Sequence, residues 1–495
     1  MSLPLKSLVG HSAQYFSGRV AAILLGMVSF PVFTRVFSVA DYGTMSLVFQ
    51  IAGLGAVASK MGVQNAVQRF YEEYQHDAGQ DGVRRFHSTF VTGMAAVAAA
   101  IALLFLVGVA AMPETVVAKG VRSLLLITSS LIFLRGIQSI LLGFYRAARR
   151  TTAYNVVEVS VRGATIGLTV FLVLFWDRSI RAVLLGTVAV ETLAVVLCLA
   201  ALVRDGKLSL VQFDPTLFKM SLAFGVPLAA TEFANVLLHS GDRILIAYFV
   251  GAEGVGYYSA AITIATYLTE SLMYPASYAL MPLYMHVWVN EGKEQTQVFL
   301  SKAMNGFAIL AFVILAGTAA VSRDVITFLG SAKLAAASPL LLPMVFGLML
   351  FTFHIFLNAG LMLCKKTMEL ARTVAICACL NIALNAGLLP LMGIQGAAVA
   401  LVLSYAVLIV LLSRATAKVL PLKVDVRGWT HCAIAAVAGY AAATPFHFES
   451  ALAGLLVRGT LCVVVYSVVL FALNRPLRLT LFRWADESLF ARQHS

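Results

Sequence analysis

Apolar stretches about 20 residues long recur from one end of this chain to the other, with short polar turns between them. An α-helix of that length crosses roughly 30 Å of hydrocarbon, so the chain reads as an all-α integral membrane protein. Spans can be placed near 11–36, 42–64, 88–112, 118–145, 154–176, 182–203, 218–250, 255–277, 298–320, 338–363, 370–390, 395–416, 429–446 and 452–473, fourteen in all. Composition agrees, with 60% hydrophobic and only 12% charged residues, where a soluble domain carries roughly a quarter charged.

The formal net charge of +13 points first to membrane topology. A nucleic-acid partner would need a soluble basic surface interleaved with aromatics, and none exists. The cysteines, Cys198, Cys364, Cys377, Cys379, Cys432 and Cys462, fall in spans or in a turn and lack ligand spacing. Neither disulfides, a metal site nor a cofactor is expected. No apolar leader with a cleavage site precedes the first span, so no removal is expected there.

Loop charge sets the orientation. With a cytoplasmic amino terminus, 23 basic residues fall on the cytoplasmic side and seven on the other, with six inside spans. Both termini are therefore expected in the cytoplasm. An internal repeat is also visible. Phe37 to Gly43 joins the first two spans, and Val250 to Gly256 joins the seventh and eighth at an offset of 213 residues. Each segment has an acidic residue shortly before a glycine that opens the next helix. The basic turns Gly143 to Arg150 and Gly360 to Thr367 also correspond. Two six-span halves in the same orientation form parallel repeats. The expected organisation is an N-terminal lobe over 1–207, a C-terminal lobe over 208–417, and two appended spans with a tail over 418–495.

The stretch Phe218 to Gly251 departs most from a lipid-facing helix. Gly225, Pro227 and Gly241 interrupt it, and it carries Glu232, His239, Asp242 and Arg243. Each charge at the bilayer centre costs about 2.5–3.5 kcal/mol on insertion scales. Interrupted, charged helices are where transporters handle cargo, so the segment is expected to wall a central polar cavity. With Pro31, the two glycines and Pro227 are the expected helix breaks. The basic residues inside spans are Arg19, Lys60, Arg135, Arg162, Arg243 and Arg458; the acidic ones are Glu158, Glu191, Glu232, Asp242 and Glu270.

Several of these charges admit two readings. Glu158 and Arg162 stand four apart on one helix face, suiting a structural ion pair or a cavity wall equally. Lys60 can snorkel to the headgroups or face the cavity. Arg458 is expected to snorkel. Arg19 and Arg135 lie too deep to snorkel easily. His239 is either packed or part of a relay with Asp242. The tyrosines between Tyr257 and Tyr284 either pack in an aromatic belt or touch a sugar. The polar segment Asn65 to His87 reads as a solvated, amphipathic cytoplasmic loop, with a gating element as the alternative.

The stretch Arg35-Val36-Phe37-Ser38-Val39-Ala40-Asp41-Tyr42-Gly43 resembles a pattern in bacterial polysaccharide flippases. Gly241-Asp242-Arg243-Ile244, followed by Gly251 and Gly256-Tyr257-Tyr258, looks like its counterpart in the second half. With the six-plus-six-plus-two layout, the chain resembles the lipid-linked oligosaccharide flippases, for O-antigen or exopolysaccharide, of the multidrug/oligosaccharidyl-lipid/polysaccharide export superfamily. The resemblance implies a multi-pass protein of the bacterial inner membrane that carries polyprenyl-pyrophosphate-linked sugar units from the cytoplasmic to the periplasmic leaflet. It implies alternating access driven by protons or sodium ions, with membrane lipid and polysaccharide polymerase machinery as further partners.

On that footing Arg19, Arg135, Arg162, Arg243 and Lys60 are the candidate pyrophosphate and glycan ligands, since planar guanidinium groups suit a diphosphate. Asp242, Glu232, Glu158, Glu270 and His239 are the candidate ion-coupling groups. A drug or cation antiporter of the same superfamily would favour a negative cavity, whereas six basic in-span residues here face five acidic ones. A membrane polymerase or glycosyltransferase would need catalytic groups on a large aqueous loop. The longest outer connection, Val321 to Ala337, has no paired carboxylates, so an enzyme is not expected.

Overall fold

The computed structural model describes residues 24–77, 79–114, 118–209 and 212–479, all helices and turns. The helices are α1 (Leu24–Val36), α2 (Val39–Lys60), α3 (Val63–Asp77), α4 (Gly79–Ala111), α5 (Lys119–Ala147), α6 (Thr151–Phe175), α7 (Ile180–Arg204), α8 (Pro215–Ser240) and α9 (Asp242–Phe249). They continue with α10 (Ala252–Asn290), α11 (Gly292–Val325), α12 (Ser338–Leu363), α13 (Thr367–Met392), α14 (Ile394–Ala417), α15 (Val426–Ala443) and α16 (Ala451–Leu473). Eleven helical stretches among the described residues are long and apolar enough to cross a membrane. Of the other three expected spans, 255–277 and 429–446 fall on α10 and the 18-residue α15, and 11–36 falls on α1 from Leu24 onward, its first part lying outside the described residues. The all-α membrane class expected from the sequence is the one observed.

Helix starts follow from local chemistry. Ser38 Oγ accepts the Asp41 N–H at 3.0 Å and donates to its carboxylate at 2.6 Å, opening α2. Asp214 accepts from the N–H groups of Thr216 and Leu217, with Pro215 supplying a fixed φ at the first helical position of α8. Two expectations need correction. The Asn65 to His87 segment is not a loop: α3 and the start of α4 run through it, because α3 has an apolar face to bury. Val67 on α3 joins Phe86 and Phe90 of α4 and Ile140 and Phe144 of α5 in one buried cluster. Val321 to Ala337 is likewise helical, passing from α11 through a π-turn to a 3₁₀ turn.

Two compact units are distinguished. One comprises Met1–Ser259 with Val374–Ala400, the other Ala260–Thr373 with Leu401–Ser495. In the second unit α11 packs against α15 and α16, where Tyr466 donates to the Ile309 carbonyl at 2.8 Å. Arg458, expected to snorkel, has a partner. It pairs with Asp324 of α11 at 3.0 Å, because α16 turns it towards a neighbouring helix and a partner there relieves its charge.

In the first unit, glycines set the closest helix approaches. A Cβ on Gly43 of α2 would strike the Ala252 carbonyl, and one on Gly256 of α10 would strike the Val39 carbonyl. These contacts are reciprocal: adding 213 to 43 and 39 gives 256 and 252. Lipid offers no hydrophobic drive between helices, so close backbone packing through small residues has to hold them.

Candidate substrate site

The reciprocal glycine contacts place α2, α9 and the start of α10 around one polar cluster. Ser46 and Ser259 share a hydrogen bond of 2.8 Å. They too are 213 residues apart, the same offset as in the glycine contacts. Arg243, in the first turn of α9, donates Nε–H to Ser259 Oγ at 3.1 Å and Nη1–H to Gln50 Oε1 at 2.9 Å. It is half-buried, and no ion pair of Arg243 occurs among the described residues. Its neighbour Asp242 is buried and accepts a hydrogen bond from the Tyr258 hydroxyl, while its Oδ1 has no partner.

A second polar cluster lies further along α2. Lys60 Nζ is 3.5 Å from Glu232 Oε1 on α8, and Gln64 Nε2–H donates to Glu232 Oε2 at 3.0 Å. Ten residues of helix put Lys60 about 15 Å beyond Gln50. Between them, on the same face of α2, Gly53 meets open space: a Cβ there would find no atom within 4 Å. The break expected at Gly241 separates α8 from α9, although Gly241 keeps helical torsions, so the chain steps without reversing. Gly225 packs its backbone against Met61 and Gly62, Pro227 lies inside α8, and Pro31 lies inside α1.

The remaining candidates are placed differently. Arg135 of α5 is engaged by Glu191 of α7, with Nη2 and Nε each 3.1 Å from Oε1. Glu158 and Arg162 stand on an exposed face of α6. His239 donates Nδ1–H to the Asn235 carbonyl at 2.8 Å within α8. Glu270 is half-buried on α10. Arg19 lies outside the described residues. The structure thus joins Lys60 to Glu232 and sets Arg243 beside Asp242. The residues the charge pattern missed are neutral: Ser46, Gln50, Gln64, Tyr258 and Ser259. The repeat offset, applied to polar residues as well as to glycines, was the signal that could have found the serine pair.

Residues 11–288, more than half of the chain, match the family described as polysaccharide biosynthesis protein. The chain belongs to that family. Among solved structures, "Lipid II flippase MurJ, inward closed conformation" aligns with a TM-score of 0.71 at 14% identity, covering 95% of this chain and 99% of that one. An outward-facing multidrug resistance MATE family transporter aligns at 0.55 with 15% identity, covering 84% and 96%. A MOP superfamily transporter from Pyrococcus furiosus, described by the reverse polarity of its binding pocket, aligns at 0.51 with 14% identity, covering 84% and 97%. At such identities these likenesses show the fold alone. No curated protein matches the chain. The chain is thus a multi-pass, all-helical membrane protein of the polysaccharide biosynthesis family, with the fold of the MurJ and MATE structures.

Proposed function

We propose that this member of the polysaccharide biosynthesis family is a flippase for polyprenyl-pyrophosphate-linked oligosaccharide. In this reading it moves the saccharide from the cytoplasmic to the periplasmic leaflet of a bacterial inner membrane, with both termini cytoplasmic. Lobes 1–207 and 208–417 alternate access to the cargo, and 418–495 is appended. The observation that carries the reading is the setting of Arg243. Ser259 and Gln50 fix its guanidinium through neutral acceptors, and its neighbour Asp242 accepts from Tyr258 instead. A cation held in place by neutral acceptors keeps its field and its remaining N–H donors for an anion. A diphosphate, which cannot enter hydrocarbon unaided, is the anion a lipid-linked sugar brings. The likeness to a lipid II flippase supports a cargo of this class.

Asp242 is the preferred ion-coupling group, with Glu232 as the alternative. Its Oδ1 is buried without a partner, so a proton or sodium ion has an oxygen to bind, and occupancy would bias the neighbouring Arg243 cluster. A cation antiporter would need such carboxylates without a competing fixed cation, and Arg243 stands beside this one. The test is Arg243→Ala together with Arg243→Lys. Surface polysaccharide is expected to vanish in the first and fall partly in the second, with protein level and membrane insertion unchanged. Normal surface polysaccharide in Arg243→Ala would overturn the proposal.

A further inference from the structure

Charge marks where α11, α14 and α15 leave the hydrocarbon. On α11 no Asp, Glu, Lys or Arg occurs between Lys302 and Arg323. At 1.5 Å per residue that uncharged run spans about 30 Å, the thickness of the hydrocarbon. Lys302 therefore stands at one edge of it, and the start of α11, from Gly292, projects beyond. The uncharged run of α14 ends at Arg414, and that of α15 begins after Arg427.

At this level the segment joining α14 to α15 is strapped to α11. Leu420 is buried with Tyr284, Leu300 and Ala359, and Leu422 packs against the same cluster. The Lys423 N–H donates to Ser301 Oγ at 3.0 Å, and the Lys423 carbonyl accepts from Asn305 Nδ2 at 3.0 Å. Asn305 Oδ1 accepts in turn from the Asp425 N–H at 3.0 Å and from Trp429 Nε1–H at 2.9 Å. A tryptophan near a helix start is the usual mark of the membrane–water interface. Lys423 is thus held from both sides, with its side chain exposed.

Between strap and helix lies a cavity of about 220 Å³, lined by Gln297, Val298 and Lys302 of α11 and by Lys423, Val424 and Asp425. Neither lysine forms an ion pair among the described residues. Asp425 turns its carboxylate to the start of α15, where Oδ1 accepts the Gly428 N–H at 2.9 Å and meets roughly half a positive charge from the helix dipole. The carboxyl end of α14 brings an opposite half charge, so the two ends cancel. From Arg414 to Arg427 the chain carries Arg414, Lys418, Lys423 and Arg427 against Asp425 alone, and Lys302 adds a fifth positive charge. On α11, Glu294 is about 12 Å beyond Lys302 and has Lys293 beside it; Glu291 precedes the helix. The balance stays positive with all of these counted.

Charge therefore selects an anion, and depth selects a lipid. Lys302 lies on one face of α11 with Gly306 and Leu310, at one and two turns towards the hydrocarbon. A Cβ on Gly306 would meet no atom within 4 Å, and Leu310 is exposed. An open apolar track thus descends from the ammonium groups. Clusters of roughly four or more Lys and Arg immediately beside a span are the pattern that holds anionic headgroups. A zwitterionic headgroup would bring its own cation against the two lysines.

We infer that this pocket binds an anionic phospholipid. Its phosphodiester sits between Lys302 and Lys423, and its acyl chains run down α11 over Gly306 and Leu310. The cavity has the volume of roughly seven waters, enough for the phosphodiester, while the chains stay in the bilayer. The site belongs wholly to the second unit and does not depend on the flippase reading.

The test is native mass spectrometry of the full chain in detergent, titrated with dioleoyl phosphatidylglycerol or dioleoyl phosphatidylcholine. The first phosphatidylglycerol is expected to bind at least about tenfold more tightly than the first phosphatidylcholine. Lys302→Gln with Lys423→Gln should bring the two lipids level, with the lipid-free melting temperature unchanged because neither ammonium group has a partner to lose. Arg204→Gln with Lys219→Gln removes the same charge from the first unit and should keep the preference. Inorganic phosphate should not displace the lipid. Equal binding of the two lipids by the wild type would overturn the inference without any variant. So would a preference that survives the paired lysine change, an equal loss in the Arg204 and Lys219 variant, or displacement by phosphate, which would make the pocket a site for a free anion.

Discussion

Arg243 and Arg135 are both arginines within membrane helices of one compact unit, and the fold treats them in opposite ways. Arg135 faces Glu191, a carboxylate on the neighbouring helix, which accepts from it through Oε1 at 3.1 Å. Arg243 faces a serine and a glutamine. In the first case charge is matched by charge and the pair locks α5 to α7. In the second the guanidinium is oriented by neutral acceptors and makes no ion pair among the described residues. In-span charge is thus not one category: the partner type separates a brace from a ligand. Arg458 with Asp324 repeats the brace in the second unit.

Removing Arg135 gives the largest expected effect on stability. Arg135→Ala strands the buried Glu191 carboxylate, and breaking a buried pair in this way costs about 3–5 kcal/mol. The melting temperature in detergent should fall by several degrees. The double variant Arg135→Met with Glu191→Leu should recover most of it and keep polysaccharide export, since no buried charge is left unpaired. A double variant that folds but does not export would show that Arg135 also touches cargo, and the contrast with Arg243 would fail.

Next comes the converse change at Arg243. Gln50→Glu puts a carboxylate where the neutral acceptor stands, turning this arginine into one of the Arg135 kind. Export is expected to drop at least about tenfold, equivalent to roughly 1.4 kcal/mol, while the melting temperature holds or rises. Export at the wild-type level, measured as surface polysaccharide normalised to protein, would mean that the neutral setting has no bearing on transport.

Much of this was legible in the sequence, and the gaps have a physical pattern. Spans were legible because hydrocarbon thickness fixes their length and apolar content. The break at Gly241 and the repeat offset of 213 were legible because glycine and acidic residues mark helix starts. The α3 helix was not: Asn65 to His87 is polar enough to read as a loop, and its buried face, Val67 and Phe70 among others, shows only once it packs on α4 and α5. The partner of Arg458 was not foreseen because Asp324 is 134 residues away. Depth along a helix says how hard snorkelling is, but not which neighbour is within reach. The acceptors of Arg243 were missed for a related reason. Serine and glutamine cost little in a span, so nothing in composition marks them, and only the geometry shows them fixing a cation.

Lys60 gives the smallest effect and tests the intermediate case. Its Nζ lies 3.5 Å from Glu232, like a brace, but the two side chains remain 26% and 33% exposed. Partly hydrated pairs contribute about 0–1 kcal/mol. If Lys60 is lost, Glu232 still accepts from Gln64 at 3.0 Å, so no buried charge is stranded. Lys60→Ala should therefore leave the melting temperature within a degree or two and lower export only mildly. A complete loss of surface polysaccharide with normal protein level would move Lys60 from the bracing class to the ligand class. It would then extend the cationic path along α2, past the open space at Gly53, towards Arg243.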